Sequence, residues 1–266
     1  MSIPPFAVII TAAGKSERFN SSSSFNAKKE FLKIDGHTVL YRATEPFFEI
    51  PGLAAVVITC PEGMMEETYL ALEDLGEVNS LPFLIIEGGK TRFLSIKNAL
   101  SRLSSLDLPI SYVAIHDGAR PFVTPDMIIR ALANASVAGG AVPALRITDS
   151  VKRLSDDNII CENVDRKQLI RVQTPQVFRF DEILSAYEKY ESTDASDDAE
   201  VFVSAGYRCT VIKGDESNKK ITYSSDIPDA EKQSAEYALF LEEAKKSRDA
   251  SRRMRELLYG IKEERK

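Results

Sequence analysis

The sequence predicts an α/β protein built on a doubly wound, mostly parallel sheet. Short apolar runs alternate along the chain with segments whose apolar residues recur at helical spacing. Three polar, glycine-containing motifs, at residues 11–18, 88–95 and 116–121, follow directly on three of those runs. They would stand at the carboxyl ends of parallel strands, where open α/β sheets hold their ligands.

The first run, residues 6–10, is apolar throughout and suits a strand buried on both faces. It ends in Thr11, Ala12, Ala13 and Gly14, small enough for a ligand to approach the backbone. Gly14 can take a left-handed conformation without steric cost. Successive N–H groups in such a turn form a concave anion site, to which Lys15 and Arg18 add positive charge. With one glycine, the loop is neither a P-loop nor the three-glycine dinucleotide fingerprint. The competing reading is an ordinary strand-to-helix turn.

A polar, serine-rich loop follows at 20–26, and residues 27–32 bring charge against apolar positions. Lys28 and Lys29 are there either as part of a lid over the phosphate site or as a pair on a solvated face. A helix is expected over 39–48, closed by Pro51-Gly52, then a strand over 53–59, a helix over 66–75 and a strand over 82–86. The Gly88-Gly89 turn, flanked by Lys90 and Arg92, is a second place for close backbone approach. Phe93, Ile96, Leu100 and Leu103 mark the next helix, and a strand over 112–115 leads into the third motif. Asp117 would orient a substrate hydroxyl or a metal-complexed triphosphate; equally, it would cap a turn or pair with Arg120. His116 reads as a structural hydrogen-bonder.

After a helix over 128–137, the short β-like pieces of 142–166 turn at 156–158 and read as a projecting β-arm. A ribbon cannot bury both of its faces alone, so a second subunit is expected against it. Residues 173–178 return the chain to the body, a helix follows over 181–190, and residues 196–200 open another with N-terminal capping chemistry. A strand over 209–212 leads to 214–222, which brings lysines back near the sheet, and a helix starts near Ile227. One domain over 1–245, arm included, is expected, followed by a basic helical tail over 246–266 with an apolar stripe of Met254, Leu257, Leu258 and Ile261.

Composition narrows the function. The 266 residues are 44% hydrophobic and 28% charged, with a net charge of −6, so no global field draws the chain to nucleic acid or an anionic membrane. No apolar run approaches the ~20 residues that span a bilayer. Residues 1–5 lack the charge and apolar stretch of a secretory leader, which with three scattered cysteines leads us to expect reduced thiols and a cytoplasmic location. Without a Cys-x-x-Cys, and with only two histidines, neither a structural zinc site nor a histidine metal centre is expected.

Eight motifs stand in order: Thr11-Ala12-Ala13-Gly14…Arg18, Lys29-Glu30-Phe31-Leu32, Gly88-Gly89…Arg92…Ser95, His116-Asp117-Gly118-Ala119-Arg120-Pro121, Asp149-Ser150…Lys152-Arg153, Val164-Asp165-Arg166, Gln173-Thr174-Pro175-Gln176 and Asn218-Lys219-Lys220-Ile221-Thr222. From Val8 to about Leu241 the series closely resembles the 2-C-methyl-D-erythritol 4-phosphate cytidylyltransferases of non-mevalonate isoprenoid synthesis. It shares most of its pieces with the ribitol 5-phosphate cytidylyltransferases. The resemblance implies a Rossmann-like nucleotidyltransferase fold. It also implies transfer of CMP from CTP to the phosphate of a sugar alcohol, with release of pyrophosphate and with Mg2+ carried mainly by the CTP phosphates. Such a reaction needs neutralised charge, in-line placement and a stabilised leaving group, with no enzyme nucleophile.

By that resemblance, Arg18 and Lys29 would stabilise the transition state, while Arg166 and Lys220 would position the acceptor phosphate. Ala12, Ala13 and Gly14 would contact CTP by backbone, with Gly88, Arg92, Ser95 and Gly118 around its base and ribose. Asp117 would lie beside acceptor and metal, with Ser150, Thr174 and Ser196 near the acceptor. No protein metal ligand set is implied. In the family's homodimer, Ser150 and Arg166 on the arm would serve the neighbour's site. The chain departs from the pattern at Thr11, at Lys28 (where proline is common, making it the alternative to Lys29), and at Ser150 and Ser196, each in place of threonine. The last two leave ribitol 5-phosphate as the rival acceptor.

Overall fold

The computed structural model describes residues 3–75 and 81–259, with the side chains of residues 231 and 253–259 left aside. In chain order the elements are β1 (Phe6–Thr11), α1 (Glu17–Asn20), β2 (Lys33–Ile34), β3 (His37–Thr38), α2 (Val39–Thr44), β4 (Leu53–Cys60), α3 (Met65–Leu70), β5 (Phe83–Glu87) and α4 (Arg92–Ser104). They continue with β6 (Tyr112–Asp117), α5 (Pro125–Ala138), β7 (Gly140–Arg146), β8 (Val151–Leu154), β9 (Ile160–Val164), β10 (Ile170–Val172), β11 (Gln176–Arg179), α6 (Phe180–Lys189), α7 (Asp198–Ser204), β12 (Cys209–Lys213) and α8 (Ser234–Tyr259).

An eight-stranded sheet in the order β10-β7-β11-β6-β1-β4-β5, with β12 alongside β7, forms the centre. β6, β1, β4 and β5 run parallel, and β12 runs parallel to β7. β11 lies antiparallel between β6 and β7. This is the doubly wound, mostly parallel sheet the alternation predicts. Residues 6–10 of β1 are fully buried, and their side chains alternate between two cores. Phe6, Val8 and Ile10 pack with α5 residues such as Ile128 and Leu132 on one face. Ala7 and Ile9 pack with Phe93, Ile96 and Leu100 of α4 on the other. Burying each large side chain contributes about 1.5–3 kcal/mol, which fixes the register of the central strand. Caps then fix where helices start: Thr91, Thr124 and Asp197 accept the N–H groups of Leu94, Met127 and Glu200 at 3.2, 3.4 and 2.9 Å.

The β-arm expected over 142–166 is shorter than the sequence suggested. Residues 142–146 belong to β7, paired with both β10 and β12 in the main sheet. The Pro143 carbonyl accepts the Gln173 N–H at 2.7 Å, and strand pairing continues around this residue. The projecting piece is the separate antiparallel β8–β9 ribbon, whose turn places Asn158 at φ 61°. No helix boundary falls at residue 245; α8 runs through it without a break. The expected stripe from Met254 to Ile261 lies outside the described side chains.

Candidate active site

β6, β1, β4 and β5 lie in that order across the sheet, and the loops after them line a cleft of about 1060 Å3. The three motifs meet there, as their placement at strand ends requires. In the first loop Ala12 is not free at the backbone, since its N–H donates to the Thr59 carbonyl at 3.0 Å. Ala13, Gly14 and Lys15 have no partner for their N–H groups among the described residues. Lys15 and Arg18 are exposed beside them, and both line the cleft. Such a row of unpaired donors flanked by cations suits an anion.

Two glycines hold the loops together. A Cβ on Gly88 would stand 2.4 Å from the Ala13 Cβ and 2.7 Å from the Ser95 Oγ. Ser95 closes that turn, accepting the Gly89 N–H at 3.0 Å and donating to the Thr91 carbonyl at 2.9 Å. A Cβ on Gly118 would meet the Thr11 carbonyl at 3.1 Å.

Lys28 and Lys29 separate clearly. The Lys28 ammonium turns away, to the Glu30 carboxylate at 2.7 Å and the Gly14 carbonyl at 2.6 Å. Lys29 lines the cleft, donating to the Ile221 carbonyl at 2.5 Å. Burial pushes its ammonium below the usual lysine range against the pull of Glu30, and Lys220 and Lys28 push the same way. A lysine in that state is a weakly solvated cation, ready to meet an anion. The serine loop before it is pinned: Ser224 donates its N–H to Ser22 Oγ at 2.9 Å, and the Ala27 N–H donates to Asn20 Oδ1 at 2.9 Å.

Asp117, at the end of β6, is the hub. Its carboxylate faces the Lys220 ammonium at 3.0 Å, Arg120 Nε at 3.2 Å and Arg92 Nε at 3.9 Å. Burial alone would raise this carboxyl; the cations Lys220, Arg92 and Arg120 outweigh it and hold the group well below the usual carboxylate range. Of the two readings, pairing with Arg120 is therefore observed, together with a further pair to Lys220. Lys220 is delivered by a sewn-down segment. Gln173 donates to the Asp215 carbonyl at 2.7 Å, the Asn218 amide donates to the Thr174 carbonyl at 2.9 Å, and the Ile221 N–H reaches the Ala119 carbonyl at 2.8 Å.

Thr174 works beneath the cleft. Its hydroxyl accepts the Asp117 N–H at 3.0 Å and lies 3.0 Å from His116 Nδ1. His116 Nε2 faces the Arg120 carbonyl at 3.2 Å. A carbonyl only accepts, so Nε2 carries the proton and Nδ1 accepts from Thr174. His116 is thus the structural hydrogen-bonder expected, and burial pushes its pKa from 6.5 down to about 4. The folded state favours the neutral ring, so this contribution to stability is complete above pH 6.5 and is lost as pH falls toward 4, amounting to about 3 kcal/mol. Unfolding free energy measured between pH 7 and pH 4 is expected to decline along this limb, and His116→Asn to flatten it. An unchanged slope in the variant would contradict the assignment.

Arg92 carries a partner that the sequence reading missed. Its two Nη atoms grip Asp198 at 2.9 and 2.7 Å, and the same carboxylate accepts the Tyr187 hydroxyl at 2.6 Å. The pair 197–198 read as helix caps. Asp197 is one, but Asp198 is fully buried and anchors Arg92. Two adjacent acids where a helix needs a single cap were the available signal.

Three sequence candidates lie elsewhere. Ser150 and Arg166 are exposed at the base of the β8–β9 ribbon, the latter donating to the Thr148 carbonyl. Ser196 is exposed and donates to Glu200 at 2.7 Å.

The family described as IspD: 2-C-methyl-D-erythritol 4-phosphate cytidylyltransferase matches residues 6–234. The chain is 36% identical over 226 residues to the bifunctional enzyme IspD/IspF of Erythrobacter litoralis, covering 85% of this chain and 55% of that protein. It is 33% identical over 235 residues to the 2-C-methyl-D-erythritol 4-phosphate cytidylyltransferase of Caldanaerobacter subterraneus, covering 85% of this chain and 96% of that protein. The crystal structure of the enzyme of that name from Thermus thermophilus superimposes with a TM-score of 0.64 at 28% identity, over 87% of this chain and 98% of that one. The chain therefore spans about half the length of the bifunctional relatives it matches and nearly all of the Caldanaerobacter protein. It belongs to the 2-C-methyl-D-erythritol 4-phosphate cytidylyltransferase family.

Proposed function

We propose that this protein transfers CMP from CTP to 2-C-methyl-D-erythritol 4-phosphate, releasing pyrophosphate, as a cytoplasmic homodimer. One observation carries the chemistry. Cations from separate segments, Arg18, Lys29, Arg92 and Lys220, converge on one cleft beside a loop of unpaired N–H groups. The loop Ala13–Lys15 cradles the triphosphate, while Gly88 and Ser95 keep the next turn close enough to shape a pocket for base and ribose. An oxygen of the acceptor phosphate attacks the α-phosphorus, and the bond to the bridging oxygen breaks as pyrophosphate leaves. Both ends of that displacement are anionic, so Arg18 and Lys29 lower its barrier by meeting charge as it develops. Lys220, oriented by Asp117, holds the acceptor phosphate in line.

Among the described residues no cluster of three or more His, Cys, Asp or Glu comes together to hold a metal, and Asp117 is already paired with cations. Mg2+ would be carried mainly by the triphosphate, where it would neutralise charge on the phosphate oxygens, with Asp117 among the carboxylates that line the cleft. No described helix is long and apolar enough to cross a membrane. The ribbon exposes Leu154, Ile159 and Ile160 at 53, 64 and 64%. A partner subunit covering that surface would bring Arg166 and Ser150 to its own site. A fully active monomer in sedimentation at micromolar concentration would contradict the shared site.

The test is pyrophosphate release from CTP and Mg2+ with either 2-C-methyl-D-erythritol 4-phosphate or ribitol 5-phosphate. Release with the first and at least about tenfold less with the second is expected, since the linear acceptor loses the branch methyl contact and adds a hydroxyl-bearing carbon. Preference for ribitol 5-phosphate, or for UTP over CTP, would overturn the assignment of substrate.

A further inference from the structure

Lys28 and Lys29 sit in a tight turn that sends one ammonium to Gly14 and Glu30 and the other into the cleft. Only a firmly held backbone keeps that division. Within the turn, the Phe31 N–H donates to the Lys28 carbonyl at 2.9 Å. The Lys28 N–H points outward instead and donates to the Tyr237 hydroxyl of α8 at 2.8 Å, in a buried setting. Without that hydroxyl a buried donor would be left unpaired. The residue just before α8 and the helix's first turns grip the same stretch. Gln233 accepts the Lys33 N–H and donates to the Lys33 carbonyl, both at 2.8 Å. The Phe25 and Phe31 rings pack at a tilt against Tyr237 and Phe240, at 6.2 and 5.6 Å between centroids. The family match ends at residue 234, before Tyr237.

We infer that Tyr237 is a positioning residue, through which α8 holds the Lys28 backbone so that Lys29 reaches the cleft. The inference rests on the role given to Lys29 under Proposed function. Burial holds the phenol neutral, as its raised pKa requires, so it acts as a hydrogen-bonding post and takes no part in proton transfer.

Tyr237→Phe keeps the ring between Phe25 and Phe240 and removes only the acceptor. We expect kcat for CMP transfer to fall on the order of tenfold, with the KM for CTP changed by less than about twofold. Brief treatment with acetic anhydride, read by peptide mass spectrometry, is expected to acetylate Lys29 several-fold faster in the variant, with Lys213 as the internal reference. Leu241→Ala thins the packing of the same helix but leaves the hydroxyl in place. It is expected to lower the thermal midpoint while leaving kcat and Lys29 labelling as they were. Lys29 labelling unchanged by Tyr237→Phe overturns the inference, as does labelling raised equally by Leu241→Ala. A wild-type protein with no CMP transfer would instead overturn the proposed function, and the labelling comparison would still decide whether Tyr237 holds Lys29.

Discussion

Replacing Lys29 with methionine is expected to lower kcat on the order of 10²–10³-fold, with the KM for CTP within about threefold and no fall in the thermal midpoint. The combination is unusual because a buried cation is being removed. Lys29 is 8% exposed, and burial works against its charge, as do Lys28 and Lys220. An apolar chain of similar length removes that penalty, which offsets the hydrogen bond lost at the Ile221 carbonyl, so stability holds. Turnover collapses because the cation is arranged for charge that appears only as the α-phosphorus is attacked. Steady-state kinetics and a thermal melt on one preparation check both halves. Equal losses in kcat and in CTP affinity would mean that Lys29 binds ground state and transition state alike.

Asp117→Asn is expected to act the opposite way on stability, costing about 3–5 kcal/mol, because it leaves Lys220, Arg120 and Arg92 facing an uncharged amide. The KM for the acceptor phosphate should rise as Lys220 loses its orientation. The acid dependence gives a second readout. The Asp117 carboxyl is held below its ordinary range, so its stabilisation is complete above the unfolded carboxylate pKa near about 4 and is lost only as pH falls below it. His116 acts in the window above, from 6.5 down to about 4. Chemical denaturation at pH 7, 5 and 3 separates the two, with the Asp117 variant differing in slope only over the last step. A variant as stable as the parent at pH 7 would mean that the three cations do not depend on Asp117.

The central strands were legible because β1 is buried on both faces, which demands a continuous apolar run. That Gly14, Gly88 and Asp117 come together was legible because they follow three such runs, and strands that pair in parallel bring their ends together. β11 was not, since four residues after Pro175 carry too little periodicity to show an antiparallel strand inserted between β6 and β7. Asp198 was hidden by its neighbour, because a cap and an ion-pair anchor share one residue type. Lys28 against Lys29 depended on contacts with Gly14 and Ile221, far apart in sequence. Tyr237, reaching Lys28 from 209 residues away, left no local trace.

In the proposed reaction, transfer is a direct in-line displacement at phosphorus, driven by fixed charge with no covalent enzyme intermediate. The most direct test is the stereochemical course of transfer, using CTP with a single sulfur at the α-phosphorus and assigning the product by phosphorus NMR. Inversion is the expected result. Retention would require two successive displacements and an enzyme nucleophile, and would contradict the roles given to Arg18, Lys29 and Lys220.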